Sequence, residues 1–330
     1  MKMKLSEYEI VIIGAGAAGL TAAQYGARAN RSTLVIEGTA TGGQCLQIDT
    51  LENYPGFPDA INGYDFTELL ERQAKQFGAE FVTAMVYRLD KADDVFLLET
   101  SEGIIRAKTV ILATGAKHRH LGVPGETELA GRGVSYCATC DGPFFKNKRI
   151  LVVGGGDAAC DEATFLARLS DKVTLVHRRA RFRAQPAVAA RATSNPNISV
   201  RLNTTLERIH GVKTEMGLEK VGAVTLRNVH TGEEEEVAVD AIFVFVGSDP
   251  QTDLVPTLPK DAGGYILTDQ NMETSIPGLF AAGDVRSTPF RQLVVGAGEG
   301  AVAAHAAASY VERLEDDFPK AKQIDILAAR

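Results

Sequence analysis

Residues 9–19 have the sequence EIVIIGAGAAG, in which a short apolar run leads directly into three spaced glycines. The apolar run predicts a buried strand, and the glycines permit a tight turn from that strand into a helix. A second apolar run at residues 33–36 ends at Glu37, where an acid suits a ribose hydroxyl. The segment therefore predicts a βαβ unit that binds a dinucleotide at its glycine turn.

The same pattern occurs a second time. Residues 149–159 read RILVVGGGDAA, and a further apolar run ends at His177. From the first glycine to the residue that ends the second strand, the spacing is 23 residues in both copies. Each copy is followed by another apolar strand that ends in glycine, at 109–114 and 241–246. Two nucleotide-binding modules are therefore expected.

In the second copy, a basic cluster replaces the acid. His177, Arg178 and Arg179 are followed by Arg183. Guanidinium groups bind a 2′-phosphate through charge-assisted, often bidentate hydrogen bonds, whereas a carboxylate would repel it. The cluster predicts NADPH rather than NADH, and the alternative is a solvated basic turn without a ligand. The residues expected to contact NADPH are Gly154, Gly156, Asp157, Ala158, Ala159, His177, Arg178, Arg179 and Arg183.

The length of the chain and the order of these segments predict two domains. At 330 residues, the chain exceeds the size of one comfortable core. After the second copy no third module begins, and the run IPGLFAAGD at 276–284, with an alanine-rich helix from about Arg291, indicates a return to the first domain. We therefore expect an α/β fold of two Rossmann-like, three-layer domains. Residues 1–117 and 249–330 would form the first domain, and residues 118–248 the domain inserted into it.

Composition and charge disfavour several classes of function. Apolar residues make up 45% and charged residues 23% of the chain, as in soluble globular proteins. The net charge of −7 argues against nucleic acid or an anionic membrane as the main partner, because both require basic surfaces. No apolar stretch reaches the roughly 18 residues of a membrane span. Four cysteines are too few and too unevenly spaced for a secreted disulfide framework, so a cytoplasmic location is expected.

The sequence CATCD at 137–141 carries the main chemical signal. A C-x-x-C motif can close a small disulfide loop, and at a helix N-terminus one of its thiols becomes acidic enough to ionise. The motif can also be half of a zinc site, but such a site needs two further ligands of similar spacing. Cys45 and Cys160 belong to separate nucleotide-binding turns, so no metal is expected. We interpret both as buried structural residues.

Further segments resemble the flavin-binding parts of the two-dinucleotide-domain disulfide reductases. The resemblance covers about residues 8–315 and includes Glu52-Asn53-Tyr54-Pro55-Gly56. It implies that the first domain binds FAD and the inserted domain binds NADPH, with Asp284 near the ribitol or phosphate part of FAD. By composition alone, Asp284 would only cap a strand. The residues expected to contact FAD are Gly14, Ala15, Gly16, Ala17, Ala18, Gly19, Glu37, Gly42, Gly43, Gln44, Asn53, Ala113, Thr114, Gly115, Gly283, Asp284, Arg291 and Gln292.

The CATCD motif resembles that of the low-molecular-weight, bacterial type of thioredoxin reductases, where it lies just before the NADPH fingerprint, as it does here. In that family, hydride passes from NADPH to FAD and then to the disulfide, and the dithiol exchanges with oxidised thioredoxin. The resemblance implies that Cys140 faces the flavin and that Cys137 attacks the disulfide of the partner. Asp141 would manage protons during dithiol formation, although it could also be only a helix cap.

The resemblance further implies a homodimer and a docking surface for thioredoxin. Phe144 and Phe145 would form part of that surface, with Arg132 on the approach, although both rings could instead pack under the active-site turn. Nicotinamide and dithiol would belong to one domain, and each must come to about 3–3.5 Å from one flavin. A large rotation of the inserted domain is therefore expected, with hinges near 117–118 and 247–248.

Departures from the family pattern leave alternatives open. Cys45 stands in the flavin loop, Cys160 stands in the NADPH turn, and Ala17 occupies a position where proline is commoner.

A related reductase could serve a glutaredoxin-like or peroxiredoxin-linked disulfide instead of thioredoxin. A ferredoxin–NADP reductase is disfavoured because its electron path needs no dithiol. A redox sensor or nucleotide-binding module without turnover is a further alternative.

Overall fold

A computed structural model of the chain describes residues 6–48, 51–213 and 217–317. The strands, in chain order, are β1 Ser6–Ile13, β2 Thr33–Glu37, β3 Glu80–Thr83, β4 Val86–Ala92, β5 Val95–Thr100, β6 Gly103–Leu112, β7 Ala116–His118, β8 Val134–Ser135, β9 Ile150–Gly154, β10 Val173–His177, β11 Ile198–Leu202, β12 Thr204–Lys213, β13 Glu219–Asn228, β14 Glu234–Ala238, β15 Ala241–Phe245, β16 Ser248–Pro250 and β17 Leu279–Ala281. The α-helices are α1 Ala17–Arg28, α2 Gly63–Gln76, α3 Ala138–Asp141, α4 Asp157–Leu166, α5 Pro186–Ser194 and α6 Leu293–Asp317. Short 3-10 helices occupy Gly43–Gln47, Gly142–Phe145 and Gly283–Val285.

The chain divides into two compact units. The first unit is Met1–Ala116 with Pro250–Arg330, and the second is Lys117–Asp249. The ends of the first unit, before residue 6 and after residue 317, lie outside the described residues. Strands β7 and β16 pair with each other where the chain passes between the units. None of the helices in the described ranges has the length and apolar character that a membrane span requires.

The first unit is built on a seven-stranded sheet with the order β3-β2-β1-β6-β5-β4, and β17 pairs with β6. Strands β3, β2, β1, β6 and β17 run parallel, whereas β4 and β5 pair in antiparallel fashion. Ile10, Val11 and Ile12 of β1 are fully buried, as expected for a parallel strand covered on both faces. Ile10 and Ile12 pack on the alanine-rich faces of α1 and α6, and Val11 packs on the opposite side of the sheet.

Strand β6 begins at Gly103, six residues before the apolar run at 109–114 that the sequence predicts as a strand. Its residues 103–107 pair with β5, and residues 110–112 pair with β17. Lys108 lies between these two segments and does not interrupt the strand. Its Nζ lies 2.8 Å from the carboxylate of Glu315, so the charge is partnered where the strand enters the core.

The second unit contains a five-stranded parallel sheet with the order β11-β10-β9-β15-β8 and a three-stranded antiparallel sheet, β12-β13-β14. Residues of β9 alternate between two hydrophobic clusters. Ile150 and Val152 pack with α4 and α5, whereas Leu151 and Val153 pack with the antiparallel sheet. Both units thus have an α/β core, and the predicted fold class is confirmed. The carboxyl ends of β1 and β9 lead into the two glycine turns.

Candidate active site and nucleotide sites

The first glycine turn requires glycine for steric reasons. A Cβ atom at Gly14 would overlap the backbone carbonyl of Ala113, and one at Gly19 would overlap the carbonyl of Gly14 itself. Gly14 also has a left-handed φ of +106°. At Gly16, by contrast, no atom lies within 4 Å of the Cβ position, and no side chain caps the helix that follows. The N-terminus of α1 therefore begins without a side-chain cap, beside open space at Gly16, which suits an anion such as a pyrophosphate.

Glu37 closes the same turn. Its Oε2 accepts a hydrogen bond from the backbone N–H of Ala15 at 2.9 Å, and its Oε1 accepts from Thr39 N at 3.0 Å. A carboxylate has about four acceptor positions, so lone pairs remain for ribose hydroxyls. Glu37 thus stabilises the glycine turn, and its remaining lone pairs can accept hydrogen bonds from a ligand.

The predicted segment Gly42-Gly43-Gln44 lies against this turn. Gly42 N donates to the carbonyl of Ala15 at 2.8 Å. The Cβ position of Gly43 lies only 3.3 Å from Gly16 Cα, so a side chain there would crowd the open face of the turn. The structure therefore brings two of the predicted flavin segments together.

The segment after β6 is fixed by a reciprocal pair of hydrogen bonds. Thr114 Oγ1 donates to the carbonyl of Gln251 at 2.7 Å, and Gln251 Nε2 donates to the carbonyl of Thr114 at 2.6 Å. Gln44 Nε2 donates to the carbonyl of Ala116 at 2.8 Å. These bonds hold the predicted residues 113–115 at the carboxyl end of the sheet.

Residues distant in sequence also meet on this side of the first unit. Asn53 Nδ2 donates to Gln292 Oε1 at 3.0 Å, which joins two residues predicted to surround the flavin. The guanidinium of Arg291 lies 3.8 Å from the ring centre of Tyr265, in a cation–π contact. Burial raises the pKa of Asp284, and the nearby charge of Arg291 lowers it in part.

Glu299 and Arg286 were missed from the sequence, although they support the predicted Gly283-Asp284 turn. Glu299 Oε2 accepts from Gly283 N at 2.8 Å, and Glu299 Oε1 lies 2.5 Å from a guanidinium nitrogen of Arg286. Both side chains are largely buried. The available signal was a lone acid inside the alanine-rich helix α6, which needs a partner when it is buried.

Backbone hydrogen bonds join the second glycine turn to the basic turn that follows β10. The carbonyl of Gly155 accepts from Arg183 N at 2.7 Å and from Ala184 N at 3.2 Å. A Cβ atom at Gly155 would overlap the imidazole of His177, whereas the Cβ position of Gly156 has no atom within 4 Å. Gly156 is the N-cap of α4 and has no side-chain cap. This helix end therefore also suits a pyrophosphate.

Asp157 also stabilises this connection between the glycine turn and the basic turn. Its carboxylate accepts from Gln185 N at 2.7 Å and from Gln185 Nε2 at 2.9 Å. The side chain of Asp157, which was predicted to contact NADPH, therefore holds the basic turn in place.

His177 is buried, whereas Arg178, Arg179 and Arg183 are exposed beside it. Its ring lies nearly parallel to that of Phe182, with 5.6 Å between ring centres. Burial, and then the charges of the three arginines, lower the pKa of His177, so it is neutral at pH 7. Its Nε2 is buried and has no hydrogen-bond partner among the described residues. The three exposed guanidinium groups beside this turn fit a phosphate-bearing ligand.

Cys137 and Cys140 form a disulfide, with 5.4 Å between their Cα atoms. Cys137 is the N-cap of α3, and its Sγ accepts from Cys140 N at 3.1 Å. Ser135 Oγ accepts from Cys137 N at 3.1 Å and lies 3.2 Å from the carbonyl of Cys137. A thiolate at Cys137 would accept the N–H of Cys140 as a charge-assisted bond, so this sulfur suits the role of nucleophile.

The one-turn helix α3 contains Cys140, and a 3-10 helix follows it. Asp141 is in the first turn, and its N–H donates to the carbonyl of Cys137 at 3.2 Å. Phe144 is 79% exposed, whereas Phe145 is half-buried against Phe243. Arg132 is exposed. Phe144 and Arg132 are therefore accessible to a partner, whereas Phe145 packs against the core.

The two free cysteines are buried and lie apart from the dithiol motif in sequence. Cys45 packs with Phe66, and Cys160 lies on the face of α4 that packs against β9. Burial raises the pKa of each thiol to about 11, so both are protonated and unreactive near neutral pH. In the described ranges, no group of three or more His, Cys, Asp or Glu side chains could hold a metal ion.

Comparison with known proteins identifies relatives over nearly the whole chain. The family model described as pyridine nucleotide-disulphide oxidoreductase matches residues 8–309. The chain is 54% identical to the thioredoxin reductase of Treponema pallidum over 311 residues, covering 94% of this chain and 99% of that protein. It is 43% identical to the thioredoxin reductase of Bacillus subtilis over 316 residues, covering 96% and 98%.

Solved structures give the same result. The thioredoxin reductase of Lactococcus lactis superposes with a TM-score of 0.88 at 41% identity, covering 93% of this chain and 99% of that one. The thioredoxin reductase of T. acidophilum superposes with a TM-score of 0.86 at 35% identity, covering 92% and 98%.

Proposed function

Because the chain belongs to the pyridine nucleotide-disulphide oxidoreductase family, we propose that it is an NADPH-dependent thioredoxin-disulfide reductase with FAD as its bound cofactor. The observation that carries the proposal is the Cys137–Cys140 disulfide on a capped turn, in the unit that also holds the basic dinucleotide site. The named relatives are thioredoxin reductases that match the chain almost end to end.

The first unit supplies the residues that would hold FAD. The glycine turn and the N-terminus of α1 would bind the pyrophosphate, and Glu37 would accept from the ribose. Asp284 and the pair Asn53–Gln292 would lie toward the ribitol and the flavin. FAD, when bound, passes the electron pair that it takes from NADPH as hydride to the disulfide.

The second unit would bind NADPH through its own glycine turn. Arg178, Arg179 and Arg183 would bind the 2′-phosphate through charge-assisted hydrogen bonds. NADH offers these groups no phosphate, so the site should prefer NADPH.

Reduction by two electrons and two protons opens the disulfide to the Cys137 and Cys140 thiols. The Cys137 thiolate, stabilised by the N–H of Cys140, then attacks one sulfur of oxidised thioredoxin and expels the other as a thiolate. Cys140 next attacks Cys137 in the mixed disulfide, which releases dithiol thioredoxin and restores the Cys137–Cys140 disulfide. Asp141, in the same turn, would exchange protons with the thiols.

Several parts of the proposal extend beyond this chemistry. Rotation of the second unit about the segments near 117–118 and 247–248 would let nicotinamide and dithiol reach one flavin in turn. Phe144 and Arg132 are the exposed residues that would contact thioredoxin. A homodimer and a cytoplasmic location complete the proposal.

The test is NADPH oxidation by the flavin-loaded protein with thioredoxin and a chromogenic disulfide. Wild type is compared with Cys140→Ser and, as a matched control, with Cys160→Ala, which removes a buried free thiol. We expect turnover that requires thioredoxin and Cys140, prefers NADPH over NADH, and survives in Cys160→Ala. Rapid flavin reduction without thioredoxin-dependent turnover would redirect the proposal to a glutaredoxin-like or peroxiredoxin-linked disulfide.

A further inference from the structure

Glu126 is a buried carboxylate that the proposed reaction does not use. Its side chain is 1% exposed, in the loop between β7 and β8 of the second unit. One carboxylate oxygen accepts from the backbone N–H of Leu121 at 2.9 Å, and the other accepts from Gly122 at 2.7 Å. A carboxylate is tolerated in the core when several donors surround it, so Glu126 fixes the backbone of residues 121–122.

Tyr136 binds the same carboxylate. Its hydroxyl lies 2.9 Å from Glu126 Oε1 and 2.6 Å from His120 Nδ1. Because a carboxylate only accepts, the hydroxyl proton points to Glu126, and we assign His120 Nδ1–H as the donor to the hydroxyl oxygen. Burial and the bond to Glu126 raise the pKa of Tyr136 above its usual range, so the hydroxyl keeps its proton.

Tyr136 directly precedes Cys137, which gives this contact a consequence for the dithiol. The backbone of Cys137 is still extended, and the turn of α3 begins only with the next residue. In the oxidised protein, the disulfide itself restrains Cys137 relative to Cys140. After reduction, Cys137 is restrained by non-covalent contacts, which include the N–H of Cys140, the hydroxyl of Ser135 and the anchoring of Tyr136.

We propose that Glu126 and Tyr136 are positioning residues for Cys137, a role that rests on the proposed function of the Cys137–Cys140 pair. Their hydrogen bond ties the strand before Cys137 to the segment by which the chain enters the second unit. It restrains the reduced state more than the oxidised state, because the disulfide already restrains the latter. Removing it therefore shifts the equilibrium toward the disulfide and weakens the stabilisation of the Cys137 thiolate.

Tyr136→Phe tests the proposal, because it removes the hydroxyl and keeps the ring. The matched control is Tyr87→Phe, which removes a hydroxyl from a tyrosine that is 63% exposed in the first unit. The flavin-loaded proteins are equilibrated in mixtures of reduced and oxidised dithiothreitol, quenched with acid and alkylated. The mass of the peptide that contains Cys137 and Cys140 then reports the fraction of dithiol.

We expect Tyr136→Phe to shift this equilibrium three- to tenfold toward the disulfide, up to about 30 mV for a two-electron couple. The pH at which Cys137 reacts half-maximally with iodoacetamide should rise, because its thiolate is less well held. Tyr87→Phe should change neither quantity. Glu126→Gln should reproduce the effect, because one oxygen is replaced by a donor that faces other donors. The double variant should shift the equilibrium no further than the larger single change.

The two readouts separate positioning from general stability. Unchanged equilibrium and alkylation profiles in Tyr136→Phe would overturn the proposal, even if the melting temperature fell, since a purely structural contact alters stability alone. If Glu126→Gln does not fold, Tyr136→Phe decides the question by itself. If the wild-type pair does not exchange with dithiothreitol at all, the function proposed for Cys137 and Cys140 fails instead.

Discussion

Replacing Gly155 by alanine should reduce stability, whereas replacing its neighbour Gly156 should reduce NADPH binding. Neither glycine has a left-handed backbone conformation, so alanine meets no backbone strain at either position. The added methyl group at residue 155 would overlap the imidazole of His177, which is buried against Phe182. At residue 156 the methyl group would enter open space, where the pyrophosphate is proposed to approach the backbone.

The magnitudes follow from these surroundings. Overfilling a packed site costs about 1–3 kcal/mol, and the lower entropy of the unfolded chain offsets about 0.4–1 kcal/mol of that loss. Gly155→Ala should therefore lower the free energy of unfolding by as much as about 2.6 kcal/mol, and Gly156→Ala should change it by less than about 1 kcal/mol. Loss of one charge-assisted hydrogen bond to pyrophosphate, worth about 1.5–3 kcal/mol, should weaken NADPH binding in Gly156→Ala by about 10- to 150-fold.

Two assays measure these effects separately. Native-state hydrogen exchange of the β9 and β10 amides reports the stability of the second unit. The NADPH concentration that gives half-maximal flavin reduction in stopped flow reports binding. If Gly156→Ala binds NADPH as tightly as wild type, the turn at 154–156 is not the pyrophosphate site. If Gly155→Ala exchanges like wild type, the packing of His177 does not constrain the turn.

Three further predictions concern charge and thiol chemistry. Arg183→Gln should raise the KM for NADPH by about 10- to 100-fold and leave that for NADH within about twofold, because only NADPH carries the phosphate that loses a charge-assisted bond. In the native oxidised protein at pH 8, no thiol should react with a chromogenic disulfide within minutes, and denaturation should expose two, Cys45 and Cys160; rapid native reaction would contradict the high pKa of either. Hydrogen bonds from Arg149 lower the pKa of Asp240 to about 2, so the pair stabilises the fold above the unfolded pKa and this contribution is lost as pH falls toward 2. Asp240→Asn should therefore lower the urea midpoint at pH 6, with a difference from wild type that shrinks between about pH 4 and pH 2; a constant difference would exclude this linkage.

Local patterns in the sequence were sufficient to predict the parallel strands and the glycine turns. Strands β1 and β9 are apolar throughout and lead directly into glycine, so neighbouring residues carry the whole signal. Helix boundaries were less accurate. Asp65 and Glu68 predict a capping box at the start of α2, but Asn62 is the N-cap, and its Oδ1 accepts from Asp65 N at 2.8 Å. Asp65 therefore occupies the third position of the helix, because the cap lies three residues earlier.

The features that the sequence did not predict depend on contacts between distant segments. Glu299 of α6 accepts a hydrogen bond from the backbone of Gly283, and Glu126 accepts one from the hydroxyl of Tyr136, ten residues later in the chain. Glu126 looks like an ordinary solvated residue until the fold buries it, and Glu299, an acid among alanines, gives no indication in the sequence of which residues it will bond. The cysteine pair needed no such information, because its two-residue spacing already brings the sulfur atoms within bonding reach.

The hydrogen bonds from Arg183 N and Ala184 N to the carbonyl of Gly155 bear on the redesign of coenzyme choice. If the arginines alone were exchanged, the carbonyl of Gly155 and the carboxylate of Asp157 would still be placed to accept hydrogen bonds from the original turn. A graft that aims at NADH should therefore transfer residues 154–185 as one cassette, with the glycine turn and the selectivity turn taken from the same donor. A chimera with mismatched halves should bind either coenzyme poorly, even when every ligand-facing side chain has been copied correctly.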